Sequence, residues 1–474
     1  MGHGPANRRV DSGNSLSLVL RNIRPLWFLI AGALCLTACP SIAEESGPST
    51  SASAGPDDPS GPNPTLPGAP TGSETLAGLP GRLAITSGTE LVLSDPSGGG
   101  IEVIDSADFV AQPTWSPSGS ALAWTRVAGG EAVVALRAIE TTDTTDTTDL
   151  PAVEMVETIP VGSQPAIYLQ WNASSDHLGF LQATPDGVTL STAPVATGAQ
   201  TRLGVGESLF FSWAPEGTEL ATHTGPSLSV LAAGSSSGVA GVPRLLESDR
   251  WFSAPVWLDS SSLLAARPSD LVRVDAVLGD SAPELALTGP TEFVVNRPRT
   301  HVAFVQLGVS FVTVQSPGPE PEGRGGLQVL DLRDGTLALV GLSDGQAVTP
   351  FAFEWSPDGS VLALMAPSEL QPGLVRWYFW QLGPGGGHLV GATTAFRPSE
   401  VSLTSYLPFF AQYAQSATGW SPDGSAFAFT GAIDTVGGVF VHVLGQTPQS
   451  VYVGPGDYVA WSPANVQSGG RSIL

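Results

Sequence analysis

Short apolar runs broken by Gly, Pro, Asp and Ser fill the chain from about residue 81 to its end, and no long stretch keeps a helical 3.6-residue period. Such runs predict the strands of a sheet whose turns recur every few residues. The unit is clearest in Trp355-Ser-Pro-Asp-Gly-Ser-Val-Leu-Ala-Leu364 and Trp420-Ser-Pro-Asp-Gly-Ser-Ala-Phe-Ala-Phe429. The residues before each Trp form one strand. Ser-Pro-Asp-Gly then folds a tight turn, in which Pro sets φ at the second position and Gly completes the reversal, and the next strand starts at once. Other copies diverge: Trp115-Ser-Pro-Ser-Gly, Trp171-Asn-Ala-Ser-Ser, Trp213-Ala-Pro-Glu-Gly and Trp257-Leu-Asp-Ser-Ser. A copy starting at Val295 has lost its Trp but keeps Pro298 and His301-Val-Ala-Phe304. One more is divided, with Arg82-Leu-Ala-Ile85 as one half and Tyr458-Val-Ala-Trp-Ser-Pro463 as the other.

Eight residues into each motif the side chain is small (Ala123, Gly179, Ala221, Ala265, Ala303, Ala363, Ala428, with Ala84 in the divided copy), and the residue before it is bulky and apolar. A small position at fixed phase predicts close approach between neighbouring sheets. Motif starts are separated by 56, 42, 44, 38, 60, 65 and 41 residues, and the short steps fit a four-stranded blade of about 40–45 residues. The motif resembles the TolB-type, WD-like propeller repeat over residues 81–474. The resemblance implies an all-β fold: a single β-propeller of eight four-stranded blades, or seven if one degenerate copy merges with a neighbour. The C-terminal strand would close the ring, with Tyr458 to Ser462 pairing Arg82 to Thr86. A repeat of this kind specifies a fold and leaves function open.

The first residues change the picture of where the protein works. Arg21 and Arg24 precede Leu26-Trp27-Phe28-Leu29-Ile30-Ala31-Gly32-Ala33-Leu34-Cys35-Leu36, the charged-then-apolar order of a secretory signal. The run is too short for a spanning helix of about 20 residues. Leu36-Thr37-Ala38-Cys39 is similar to a bacterial lipobox, which implies removal of residues 1–38 and lipid attachment at Cys39. The expected site is the cell envelope, at the outer membrane or the outer face of the cell membrane. Arg8-Arg9 fits a twin-arginine signal poorly. Residues 39–80 are rich in Pro, Gly and Ser and read as a disordered tether. Cys35 and Cys39 are the only cysteines, so the processed protein would hold no disulfide and rely on packing.

The formal net charge is −24, and all 19 basic residues are arginine. So acidic a surface repels phosphate backbones, which excludes nucleic acid as a partner. Chemistry is hard to find. Gly234-Ser-Ser-Ser-Gly238 matches the nucleophile-elbow pattern but lies in a small-residue loop with no α/β-hydrolase context. His177 and His301 share one motif position in separate blades, and His223, His388 and His442 fall on others, so no convergent metal set is expected. Thr141–Asp149 reads as a solvated low-complexity loop. No cofactor is expected, and the assembly expected is a monomer.

What remains is binding to a protein or a glycan through one face, with a polysaccharide-active lyase or hydrolase and a structural spacer as the alternatives. Two long inserts, 307–325 and 393–418, share one face by strand parity, opposite the Ser-Pro-Asp-Gly turns. The second carries Tyr406, Phe409, Phe410 and Tyr413. The aromatic run 377–380 reads first as blade-to-blade packing; in the sharper reading Trp377 and Trp380 join these four as a candidate stacking surface for a partner. Alternation also puts Trp377 and Phe379 on one sheet face and Tyr378 and Trp380 on the other, so both faces need cover.

Overall fold

A computed structural model describes residues 76–139, 157–206, 209–225, 227–233, 244–248, 253–306, 326–342, 347–445 and 449–463. The leader, Cys39, nearly all of the tether, Thr141–Asp149, Gly234–Gly238 and the 307–325 insert lie outside these residues. Thr71–Leu474 forms one compact unit. Its regular structure is almost wholly antiparallel strand, as the apolar runs predict.

Six sheets are four-stranded meanders, and a seventh sheet has seven strands in the order Tyr458–Trp461, Leu83–Thr86, Gly88–Ser94, Glu102–Trp115, Ala121–Ala128, Glu131–Ala138, Thr158–Gly162. The long strand Glu102–Trp115 serves two meanders. Its first half pairs with Gly88–Ser94 and its second half with Ala121–Ala128. The last strand pairs the first in the expected register, Leu83↔Trp461 through Thr86↔Tyr458. The chain ends of the region are thereby locked into one sheet, and the edge that either strand alone would expose is gone.

Apolar clusters bind consecutive four-stranded meanders face to face, the two meanders of the seven-stranded sheet included. Leu93 shares one with Trp115 and Leu122, Leu136 with Trp171 and Leu178, Leu190 with Trp213 and Leu220, and Val230 with Trp257 and Leu263. The series continues through Leu271 with Phe293 and Val302, Val329 with Trp355 and Leu362, and Phe379 with Trp420 and Phe427. It returns to its start where Val439 and Val441 meet Leu83 and Trp461. Sheets packed in such a circuit have the arrangement of a β-propeller. The small position has its cause here: a Cβ on Gly179 would lie 2.7 Å from the Phe211 ring and 3.2 Å from Trp213 Nε1, so only a small side chain leaves room for the next sheet.

Candidate ligand-binding site

The repeat tryptophans do more than fill space. The indole N–H of Trp171 donates to Thr114 O at 3.0 Å, Trp213 to Gln170 O at 3.0 Å, Trp257 to Ser212 O at 3.2 Å and Trp355 to Val294 O at 3.1 Å. Trp115 and Trp420 continue the pattern with Ala460 O and Glu354 O, at 3.2 and 3.4 Å. Each acceptor is the residue just before the motif position of the preceding copy, so a belt of indoles stitches inner strand to inner strand. Trp461 instead donates to Pro80 O at 2.9 Å. A buried indole that lacked its acceptor would be costly, which ties this residue type to the site.

Beside the belt, the turns lock themselves. Ser356 Oγ accepts the Val361 amide at 2.9 Å and donates to Asp358 at 2.6 Å, and Ser421 repeats this with Ala426 and Asp423 at 2.9 and 2.7 Å. Where Asn replaces Ser, Oδ1 of Asn172 and of Asn296 accepts the amides of His177 and His301 at 3.0 and 2.9 Å. Hydrogen bonding holds the carboxylates of Asp358 and Asp423 below the usual range against the opposing effect of their partial burial.

The 393–418 insert goes where strand parity alone did not place it. Arg397 and Pro398 open the inner strand of the last sheet by pairing with Ala432 and Gly431, and the chain then leaves that strand until Trp420 bridges to Phe427. The residues between coil through helical turns over Ser402–Tyr413 and touch inner strands on several sides. Tyr406 stacks on Tyr458 at 3.8 Å, Phe410 packs on Phe353 at 4.7 Å, and Tyr413 meets Tyr168 at 5.3 Å. The Gln412 amide pairs with Phe211 as a strand would, accepting its N–H at 3.1 Å and donating to its C=O at 2.8 Å. Further along, Gln415 donates to Pro255 O and accepts from Gln170, at 3.5 and 3.3 Å. The insert therefore plugs the middle of the circuit. Burial raises the phenol pKa values of Tyr168, Tyr406, Tyr413 and Tyr458, which keeps them neutral donors.

Above the plug, on the side of the motif turns, a funnel of about 280 Å³ opens. Indoles such as Trp171, Trp257 and Trp355 form its wall, the residues from Ala411 to Thr418 contribute its floor, and Arg297 and Arg299 stand on its exposed rim. Crowding by the walls and the neighbouring Arg297 charge lower the Arg299 pKa. Glu354 lies between the funnel and a second, apolar cavity of about 140 Å³ beneath it. Its carboxylate accepts from Thr418 Oγ1 and from the Gly419 amide at 3.2 Å. Burial pushes it up to about 7, against these bonds, while burial alone takes Glu292 on the adjacent inner strand to about 8.

The six residues expected to form a stacking surface are dispersed. Trp380 is 1% exposed inside the cluster it shares with Val329, and Tyr406 is 7% exposed, so both rings are packed against the protein itself. Trp377 packs on Phe427 at 4.8 Å, and Phe410 and Tyr413 line the plug; Phe409 contacts Phe210 at 6.4 Å. The expected alternation does hold, with Phe379 facing one neighbouring sheet and Tyr378 and Trp380 the other. The insert packs inward as a plug, because its aromatic side chains gain more by filling an axial hole than by standing in water. Sequence reasoning missed Glu354, Arg297 and Arg299. Their signal lay in the motif frame: an acid in the slot just before Trp355, and arginines where other turns carry Pro and Gly. Among the described residues no three His, Cys, Asp or Glu side chains gather as a metal set. His177 and His301 each pair locally, with Asp176 at 2.9 Å and Asp331 at 3.4 Å.

No protein family and no curated protein matches the chain. Among solved structures, TolB from Acinetobacter baumannii is similar at 12% identity and a TM-score of 0.34, covering 67% of this chain and 66% of that one, just under two thirds of its length. An oligogalacturonate lyase in complex with manganese is 14% identical with a TM-score of 0.40, over 58% of this chain and 73% of that one. The β-propeller domain of Cps50 (Swd1) from Myceliophteria thermophila is 14% identical with a TM-score of 0.38, over 60% and 85%. Likenesses this distant bring no activity with them.

Proposed function

We propose that this chain is a non-catalytic, ligand-binding β-propeller of eight blades, held at the outer side of a cell envelope by a lipid on Cys39, and that its funnel is the binding site for a protein or glycan group. Eight blades follow when Glu102–Trp115 is counted once in each of the two meanders it serves, and the circuit of clusters accommodates that number. Residues 1–38 would be the removed leader, residues 39–80 the tether, and residues 81–474 the propeller. The observation that carries the binding role is the funnel itself, a concavity with aromatic walls and two arginines at its rim. Concave, mostly apolar sites with a few placed polar groups are where ligands bind.

One observation favours a polysaccharide-active lyase or hydrolase. Glu354, raised to about 7 and lining the funnel, has the proton affinity that general acid–base work requires. Its bonds to Thr418 and Gly419 fit an anchoring role better, since they tie down the end of the plug.

The body has no cysteine of its own, so Ser118→Cys at a turn tip takes a single environment-sensitive fluorophore, with Leu403→Cys on the insert as the control. Binding at the funnel predicts that envelope extract changes the emission of the Ser118→Cys label alone. A response only from the Leu403→Cys label would move the site to the other face. Hydrolysis or β-elimination of an envelope polysaccharide, lost in Glu354→Gln, would establish the enzyme instead.

A further inference from the structure

The turn after Thr291–Val295 departs from the best-preserved copies at every position. Where the best-preserved repeats read Trp-Ser-Pro-Asp-Gly-Ser, it reads Val295-Asn296-Arg297-Pro298-Arg299-Thr300. Val295 stands where the best-preserved copies carry the indole, and it lines the same funnel as Trp257 and Trp355. Arg299 adopts φ +60°, in the slot where Gly119, Gly217, Gly359 and Gly424 sit at φ +70° to +73° and Ser175 at +61°. A long side chain there costs about 1–3 kcal/mol of backbone strain, and strain of this kind clusters at binding sites.

Both residues are exposed at the rim although the Arg299 guanidinium is largely desolvated, and among the described residues neither pairs with a carboxylate. This is a protein in which acids outnumber bases 43 to 19, so two adjacent unpaired arginines are a local reversal of sign. Their mutual repulsion falls when an anion sits between them. The guanidinium fork fits a planar carboxylate through two parallel bonds. The acidic surroundings penalise a dianion more than a monoanion.

On the reading that the funnel is the ligand site, we propose that Arg297 and Arg299 bind a monocarboxylate whose apolar or ring body enters the funnel they border. A sugar acid and the carboxyl end of a polypeptide share this chemistry. The volume of about 280 Å³ admits one such unit.

The test is calorimetric titration of the full-length protein in detergent micelles with N-acetyl-phenylalanine, its neutral amide, glucuronic acid and inorganic phosphate. A carboxylate should bind saturably and at least about tenfold tighter than the amide, as a charge-assisted bond is worth. Whichever of the two carboxylates binds tighter identifies a peptide or a sugar source. Arg297→Gln and Arg299→Gly should each weaken it by about tenfold or more. Arg299→Gly should do so without lowering the melting temperature, because Gly takes φ +60° freely. Equal binding of acid and amide, wild-type affinity in both variants, tighter binding of phosphate, or no saturable carboxylate binding would overturn the inference. The funnel reading itself falls only if the Ser118→Cys label stays silent toward envelope extract.

Discussion

Gln412 decides whether the insert is a plug or a lid. Its side chain is buried among apolar neighbours and satisfies both backbone groups of Phe211, the N–H at 3.1 Å and the C=O at 2.8 Å. Gln412→Leu keeps roughly the same shape and removes both partners. Each orphaned, desolvated backbone group costs about 1–3 kcal/mol, so the pair should cost about 2–6 kcal/mol. Some relaxation of the Phe211 strand would hold the loss near the lower half of that range, about 3 kcal/mol. Amide exchange reads it locally: at about 1.4 kcal/mol per tenfold, the Phe211 amide should lose about a hundredfold of its protection. The neighbouring bond from Tyr168 to the Gln412 carbonyl, at 3.0 Å, uses the backbone and survives the substitution, which keeps the effect attributable to the side chain. A global unfolding free energy within about 1 kcal/mol of wild type, with unchanged exchange at Phe211, would refute the argument and make the insert a mobile lid.

Glu354 has a folded-state pKa of about 7 against an ordinary 4.5, so the folded state holds the proton more tightly. Its stabilising share is full below 4.5 and is lost as pH rises through 7, by at most about 3 kcal/mol. Glu354→Gln should therefore gain on wild type by about 2–3 kcal/mol between pH 4.5 and 8 in urea titrations, and a constant difference over that range would contradict the burial account. Removal of residues 456–474 takes away the strand that pairs Leu83–Thr86 and should lower the melting transition of the whole body; melting like wild type would dissolve the closure. Cys39→Ser should leave the chain unlipidated, seen as the missing acyl mass and a shift from the membrane pellet, and processed wild-type levels in the pellet would remove the anchor.

The repeating layer was readable because one physical demand recurs. Nearly every copy combines a tight turn, a small residue under the next sheet and a Trp at the inner strand's end, so the Trp, Gly and Ala slots stand out across the copies even where one is lost, as the Trp is at Val295. The pairing of Tyr458–Trp461 with Leu83–Thr86 was legible for the same reason, as two halves of one motif. The path of 393–418 was not. Strand parity fixes where an insert leaves a sheet but says nothing about whether it turns outward or inward, and Tyr406, Phe410 and Tyr413 suit either environment. Glu354 and the two arginines were hidden differently. They are single departures from the repeat, and only the fold shows that the departures at 295, 297, 299 and 354 share one funnel.

The central claim is that this funnel holds the ligand while the insert is permanent packing. A crystal structure of the full-length protein grown with the tighter-binding carboxylate tests it most directly. The account predicts density in the funnel, its carboxylate on Arg297 and Arg299, with Gln412 still bonded to Phe211. A ligand seated on the opposite face, or one that enters the axis by expelling residues 402–413, would contradict it.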